Sequence, residues 1–358
     1  MSWLETVLNR LAATSQWTYL PVGPRAAEPA ALAALALVAH GRTTAAHAAL
    51  DWLVGQQSPD GAVGIVDRES NPAWTTACAL LAWQAADGAL PGGARRRAGD
   101  RQAIARGVDW LLTARGKTAA NDPDLGHDAT LAGWPWVLGT HSWIEPTAMA
   151  VLALRASGEA DHPRASEAVR LLVDRLLPDG GCNYGNTFVL GQELRAHIQP
   201  TGVCLWALAG ANDSSGRVAK TIDYLERSTP AQTATASLCY ALLGLAAHGR
   251  RPATSEGQLA AAAERTLQRA PSTYRLALLA LAAPHEAVSV IPATAINGAA
   301  PAAAAERRQP SSRGAARSNP TRLAPDRSEP EGAANGCAPG APPLNGNSLP
   351  LDTPLAWK

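Results

Sequence analysis

The chain has 358 residues, enough for one large domain or two ordinary ones, and its 31 basic and 30 acidic residues nearly cancel. That balance argues against the basic footprint a nucleic acid demands. The longest uninterrupted apolar run, Ala30 to Ala39, is too short to span a bilayer.

In chain order, the segment SWLETVLNRLAA has charges inside it and no apolar core of signal-peptide length, so it reads as an amphipathic helix opening a cytoplasmic protein. EPAALAALALVAHG (28–41) follows as a helix with no polar side, then TTAAHAALDWLVGQQ (43–57), which keeps one. The alternation continues. WTTACALLAWQAADG (74–88) is apolar and GDRQAIARGVDWLLTAR (99–115) amphipathic. HSWIEPTAMAVLALRASG (141–158) is apolar and HPRASEAVRLLVDRLL (162–177) amphipathic. QPTGVCLWALAGA (199–211) and SGRVAKTIDYLERS (215–228) form the next pair, and TATASLCYALLGL (233–245) and QLAAAAERTLQRA (258–270) the one after. PSTYRLALLALAA (271–283) is the sixth apolar helix.

A helix that is hydrophobic all round must be buried on all sides, whereas a striped one can sit outside it. Six apolar helices alternating with six amphipathic ones therefore predict an all-α, two-shell ring, an α/α toroid over residues 1–283. In such a ring the inner helices run parallel. Glu28, Trp74, Glu145, Gln199, Thr233 and Pro271 then rim one mouth, with Thr76, Thr147, Thr201, Thr235 and Thr273 in the column two residues on. From Pro284 the pattern stops. Residues 284–358 hold 12 of the 27 prolines and one aromatic, Trp357, so they are expected to be a disordered tail.

Five cysteines are scattered without a CxxC pair, and Cys78, Cys204 and Cys239 sit in apolar helical runs, where cysteine is a small hydrophobe. Cys337 lies in the tail. Two loops after outer helices, Trp52 to Gly64 and Leu176 to Asn186, contain Pro-Asp-Gly, a turn signal.

Together with the helix alternation, these loops resemble the Gln-Trp repeats of the terpenoid cyclase and protein prenyltransferase superfamily, over roughly residues 25 to 283. Gln56-Gln57 with Asp60-Gly61 is similar to one copy, with Val63 at the usual aromatic position. Asp179 to Cys182 is similar to another, with Cys182 at that position. Trp110 to Leu112 with Gly133-Trp134 looks like a stretched third. The resemblance implies a central cavity for an isoprenoid or other apolar molecule, and leaves room for a partner subunit. The family's catalytic motifs are incomplete here. Where class II cyclases carry an Asp-rich acid before Thr-Ala, this chain has Trp74-Thr75-Thr76-Ala77 and Glu145-Pro146-Thr147-Ala148. No Asp cluster for magnesium diphosphate exists. Ser237 stands where prenyltransferases place a zinc-binding His, and Asp179 and Cys182 have the wrong spacing, so neither zinc nor another cofactor is expected.

The candidate catalytic residues are Glu145, His141 and His197, an acid and two imidazoles converging at the mouth if their helices are neighbours. Glu145 equally suits a carboxylate meeting a helix dipole, and each His a solvated loop residue. Trp74, Trp143, Asn183, Tyr184, Asn186 and Gln199 are candidate ligand contacts, the aromatics by their π faces and the loop residues by amide or phenol. Core packing and a self-satisfied turn are the competing explanations. Three functions remain open: an isoprenoid-type binder or enzyme, a non-catalytic scaffold, and a carbohydrate-active barrel using Glu28 and Glu145.

Overall fold

The computed structural model describes residues 2–67, 69, 71–89, 98–230, 233–269 and 271–284. Beyond Pro284 itself, the tail expected to be disordered, with Cys337 and Trp357, lies outside the described residues.

Among the described residues, six inner helices alternate with six outer ones. The inner set is α2 (Ala27–Ala39), α4 (Thr76–Gly88), α6 (Ile144–Ala156), α8 (Ile198–Ala207), α10 (Thr235–Ala247) and α12 (Thr273–Ala282). The outer set is α1 (Trp3–Ala13), α3 (Thr43–Gln56), α5 (Ala98–Thr113), α7 (Pro163–Asp174), α9 (Arg217–Ser228) and α11 (Ser255–Arg269). Each inner helix packs on the next, and α12 packs back on α2, which closes the ring. Outer helices fill the gaps: α3 touches α2 and α4, α5 touches α4 and α6, and α11 touches α10 and α12. The fold is an α/α toroid.

Burial follows the sequence pattern. Every residue of α2 is buried, whereas α9 buries only Thr221 and Leu225. Alanine makes the close inner packing possible, and glycine tightens it at one seam. A Cβ on Gly202 of α8 would stand 2.4 Å from the Tyr240 carbonyl carbon of α10, and one on Gly244 of α10 would stand 2.5 Å from the Gly202 oxygen. The two helices therefore touch backbone to backbone there.

Several boundaries depart from the sequence reading, three of them with a visible cause. Helix α8 stops at Ala207 rather than Ala211, because Gly210 takes φ 70° and ends the turn. Helix α7 stops at Asp174, because Leu176 and Leu177 turn away to pair with Cys182 and Gly181. Helix α11 starts three residues early, at Ser255, whose hydroxyl accepts from Arg251 Nε at 3.1 Å. A short hairpin, β1 (Phe188–Val189) with β2 (Gln192–Glu193), was not expected in the 178–198 loop.

Candidate functional site

The inner helices are parallel, as contacts at both ends establish. At the C-terminal end, side chains donate to last-turn carbonyls of neighbouring helices. His40 reaches Ala280 O (2.9 Å), Arg155 reaches Ala207 O and Ala209 O, and His248 reaches Leu205 O (2.9 Å). Arg251 binds Ala282 O. Helix C-termini carry partial negative charge and free carbonyls, so donors, cationic ones above all, are favourable partners there.

The N-terminal end is built by a repeated device. The loops entering α4, α6 and α8 are each pinned by a first-turn threonine hydroxyl. Thr76 accepts from Val63 N (2.8 Å), Thr147 from Trp134 N (2.9 Å) and Thr201 from Cys182 N (2.9 Å). Val63, Trp134 and Cys182 thus occupy equivalent places. Gly61 and Gly180 both adopt φ 96°, and a Cβ on either would strike the backbone of the next outer helix, at Arg106 O (2.1 Å) or Lys220 O (2.3 Å). Gln57 ties the first turn down by donating to Gly61 O and Ala103 O. These residues of the Gln-Trp-like repeat serve architecture.

Three inner helices begin with the same register: Glu28-Pro29, Glu145-Pro146 and Gln199-Pro200 are the second and third residues of α2, α6 and α8. Proline fits there because first-turn N–H groups have no intrahelical acceptor. The register aims three polar side chains at one mouth. Gln199 Nε2 donates to Glu145 Oε1 at 2.7 Å. Glu28 is 2 % exposed and Glu145 7 %. Tyr240, one turn into α10, stands near both, with its hydroxyl 3.5 Å from Glu28 Oε1. Burial first, then Tyr274, Glu28 and Glu145, push the Tyr240 phenol well above its ordinary value. Burial and Glu28 do the same to Tyr19. Both phenols are therefore neutral donors at neutral pH. Tyr19 and Tyr274 pack at 5.3 Å between centroids, and Trp74 and Trp136 meet edge to face at 4.6 Å. The sequence reading missed Tyr19, Tyr240 and Tyr274; the available signal was a phenol inside an otherwise aliphatic inner helix in the last two cases.

Most of the other candidates line two clefts beside this mouth. Tyr184, His197 and Gln199 line one, of about 460 Å³, between the starts of α8 and α10. His141 and Asn186 line the second, of about 440 Å³, beside the start of α6. His197 packs on Tyr184 at 5.1 Å and His141 on Trp143 at 4.5 Å. Asn183 braces its loop, donating to Arg195 O (2.7 Å) and accepting from Tyr184 N (2.7 Å). Tyr184 O accepts from Ile144 N, which fixes the loop to the start of α6. Trp134 is packed between shells, with Nε1 donating to Leu111 O and the Arg164 guanidinium 4.3 Å over its ring. Among the described residues, Cys78, Cys182, Cys204 and Cys239 are buried and in no disulfide, and no three His, Cys, Asp or Glu side chains gather as a metal-binding group. No helix among these residues is long and apolar enough to cross a membrane. Among the described residues, the exposed large aliphatics Leu20, Val22, Val137, Leu138, Val189 and Leu190 all lie in the segments entering α2, α6 and α8, at the mouth end.

No protein-family model and no curated protein matches the sequence. Among solved structures, the chain is similar to the type II terpene cyclase MstE from Scytonema in its apo form, at 19 % identity and TM-score 0.41, covering 64 % of this chain and 62 % of that one. A variant of that cyclase in complex with geranylgeranyl dihydroxybenzoate gives 17 % identity and TM-score 0.39, with 68 % and 65 % covered. The chain thus spans under two-thirds of the length of these cyclases. A glycosidase variant gives 12 % identity and TM-score 0.50, covering 78 % of this chain and 96 % of that one. The likeness to the glycosidase is one of fold alone, which the closed double ring of helices shares.

Proposed function

We propose that the chain binds an apolar small molecule, of isoprenoid type, at the N-terminal mouth of the ring. One observation carries this reading. Three phenols, Tyr19, Tyr240 and Tyr274, cluster by buried Glu28 at the N-terminal end, Tyr240 also lies near buried Glu145, and Trp74 packs edge to face on Trp136 just before α4. Aromatic faces hold apolar chains and favour cationic character, and a few convergent polar groups orient the ligand. Aliphatic loop tips at the same end favour entry there. The complete burial of α2 argues for a ligand seated at the mouth rather than along a through-channel. Whether chemistry follows binding turns on Glu28, Glu145 and Tyr240, since an acid or base must touch the ligand to act on it.

The test is native mass spectrometry and lipid extraction of purified protein, with thermal shifts in prenyl alcohols and diphosphates. A co-purified lipid, or a stabilisation that Tyr240→Phe reduces, supports the reading. Absence of both sinks it and leaves the scaffold.

A carbohydrate-active site is the second reading, favoured by one feature: two buried carboxylates, on α2 and α6, flank one phenol. Hydrolysis of aryl glycosides abolished by both Glu28→Gln and Glu145→Gln would select it. Persistent absence of sugar release in the wild type would remove it.

A further inference from the structure

We infer that the cleft beside the start of α6 is a binding site for a phosphoryl or similar oxyanion group. Four basic side chains from separate stretches of chain border it: Lys117, His127, His141 and Arg175. Asn186 adds an amide, and no Asp or Glu is found among its described lining residues. Its volume, about 440 Å³, exceeds what a phosphate needs, so a larger molecule carrying that group also fits.

The basic groups are held rather than merely adjacent. Arg175 is buried at the end of α7. Its Nε donates to Asp174 (3.2 Å), Nη1 to Gly185 O (3.0 Å) and Nη2 to Asp128 O (3.1 Å). Three of its five N–H donors are thereby committed, which fixes the guanidinium plane at the cleft wall. His127 is oriented by a 3.0 Å contact between Nδ1 and Thr187 Oγ1, and His141 by stacking on Trp143. Lys117 is exposed and makes no ion pair among the described residues. Two carboxylates stand close by without lining the cleft, and Asp174 pairs with Arg175 itself. Asp174 accepts from Arg175 and from Asp128 N, and Asp128 accepts from Thr130. Oxyanions are recognised by just such a fork of fixed and mobile cationic donors.

The electrostatics agree with this geometry. Burial and then the Arg175 charge hold both His127 and His141 below the ordinary imidazole value, with Asp174 and Asp128 partly offsetting this at His127. The two rings therefore face a positive neighbour that a bound dianion would neutralise, and binding must raise their pKa values. The inference stands independently of the mouth reading, because it concerns a separate cleft.

The experiment is histidine NMR of the full chain across pH, in chloride and in phosphate or pyrophosphate at matched ionic strength. His127→Gln and His141→Gln assign the two signals. The expected result is a rise in both midpoints with phosphate or pyrophosphate, while His248, bonded to Leu205 O at the opposite end, stays put. Lys117→Ala should weaken pyrophosphate binding about tenfold, the loss of one charge-assisted contact, without altering the fold. Midpoints that do not move, or equal pyrophosphate affinity in wild type and Lys117→Ala, would overturn the site. A comparison of inorganic phosphate with farnesyl monophosphate distinguishes the source of the group. Equal affinity identifies a free oxyanion, and much tighter binding of the monoester identifies the phosphorylated end of an apolar molecule.

Discussion

Gln199 donates to Glu145 across the seam between α8 and α6, at 2.7 Å, and so joins the first turns of two neighbouring inner helices. The same glutamate lies near Tyr240 on α10, and it therefore belongs both to the packing of the ring and to the chemistry of its mouth. Glu145→Ala removes the acceptor and leaves a half-buried amide to find another. The expected loss is about 1–3 kcal/mol, read by urea unfolding. Glu145→Gln keeps an oxygen for Gln199 and should cost less. If both variants unfold like the wild type, the bond contributes nothing and Glu145 is retained for binding alone.

The approach of α8 to α10 sets where Tyr240 stands. With Gly202 against the Tyr240 backbone, even one methyl forces the helices apart. Gly202→Ala is expected to destabilise by about 1–3 kcal/mol, the usual penalty for overpacking. It should also move Tyr240 away from Glu28 and Glu145. Tyrosine absorbance across alkaline pH reads that displacement, because a phenol shifted from its buried acid neighbours titrates at a lower pH. A stable variant with an unchanged Tyr240 titration would show that the seam has slack.

The ring itself was legible because its determinant is periodic. Apolar runs with no wet side can only be inner staves, and the six runs became α2, α4, α6, α8, α10 and α12. The threonine column was visible as a repeat, but its purpose was not, since Thr76, Thr147 and Thr201 bind backbone N–H groups that composition does not mark. Glu145 and Gln199 converge as the shared register suggested. His141 and His197, close to their helices in sequence, line separate clefts, because the loop at Tyr184 threads between the starts of α6 and α8. Tyr240 was hidden by its place one turn below the rim. The latches at the other end were hidden too, because an arginine or histidine after a helix looks like ordinary punctuation.

Acid should weaken the fold in two stages. Burial lowers His127, His141, His197 and His248, so the folded chain resists protonation that the unfolded chain accepts. Stability from these groups is present above the unfolded value near pH 6.5 and is lost as pH falls through their lower folded values. Around His127 the facing charges are Arg175, Asp174 and Asp128, and Arg175 dominates. At lower pH Asp128, held below its usual value by the Thr130 hydroxyl and N–H, adds a second loss as it is protonated. Urea unfolding at pH 8, 6.5, 5.5 and 4 should show a progressive decline. A flat profile between pH 8 and 5.5 would contradict the histidine contribution.

The hairpin tip carries a residue that its backbone disfavours. Leu190 and Gly191 form the two-residue turn between β1 and β2, at φ 52° and 73°, and Leu190 is 96 % exposed. Positive φ at both positions is what a type I′ turn needs, and asparagine or glycine meets it at little cost. A leucine there loses about 1 kcal/mol to steric conflict with its own backbone and gains no burial in return. Leu190→Asn should therefore stabilise the chain by up to about 1 kcal/mol, seen as a higher urea midpoint with an unchanged slope. If the apolar tip serves ligand entry, the same variant should slow uptake of a prenyl alcohol while leaving its equilibrium affinity alone, because the tip stands outside the Glu28–Tyr240–Glu145 cluster. A variant both less stable and equally fast in uptake would show that Leu190 packs on something and has no part in entry.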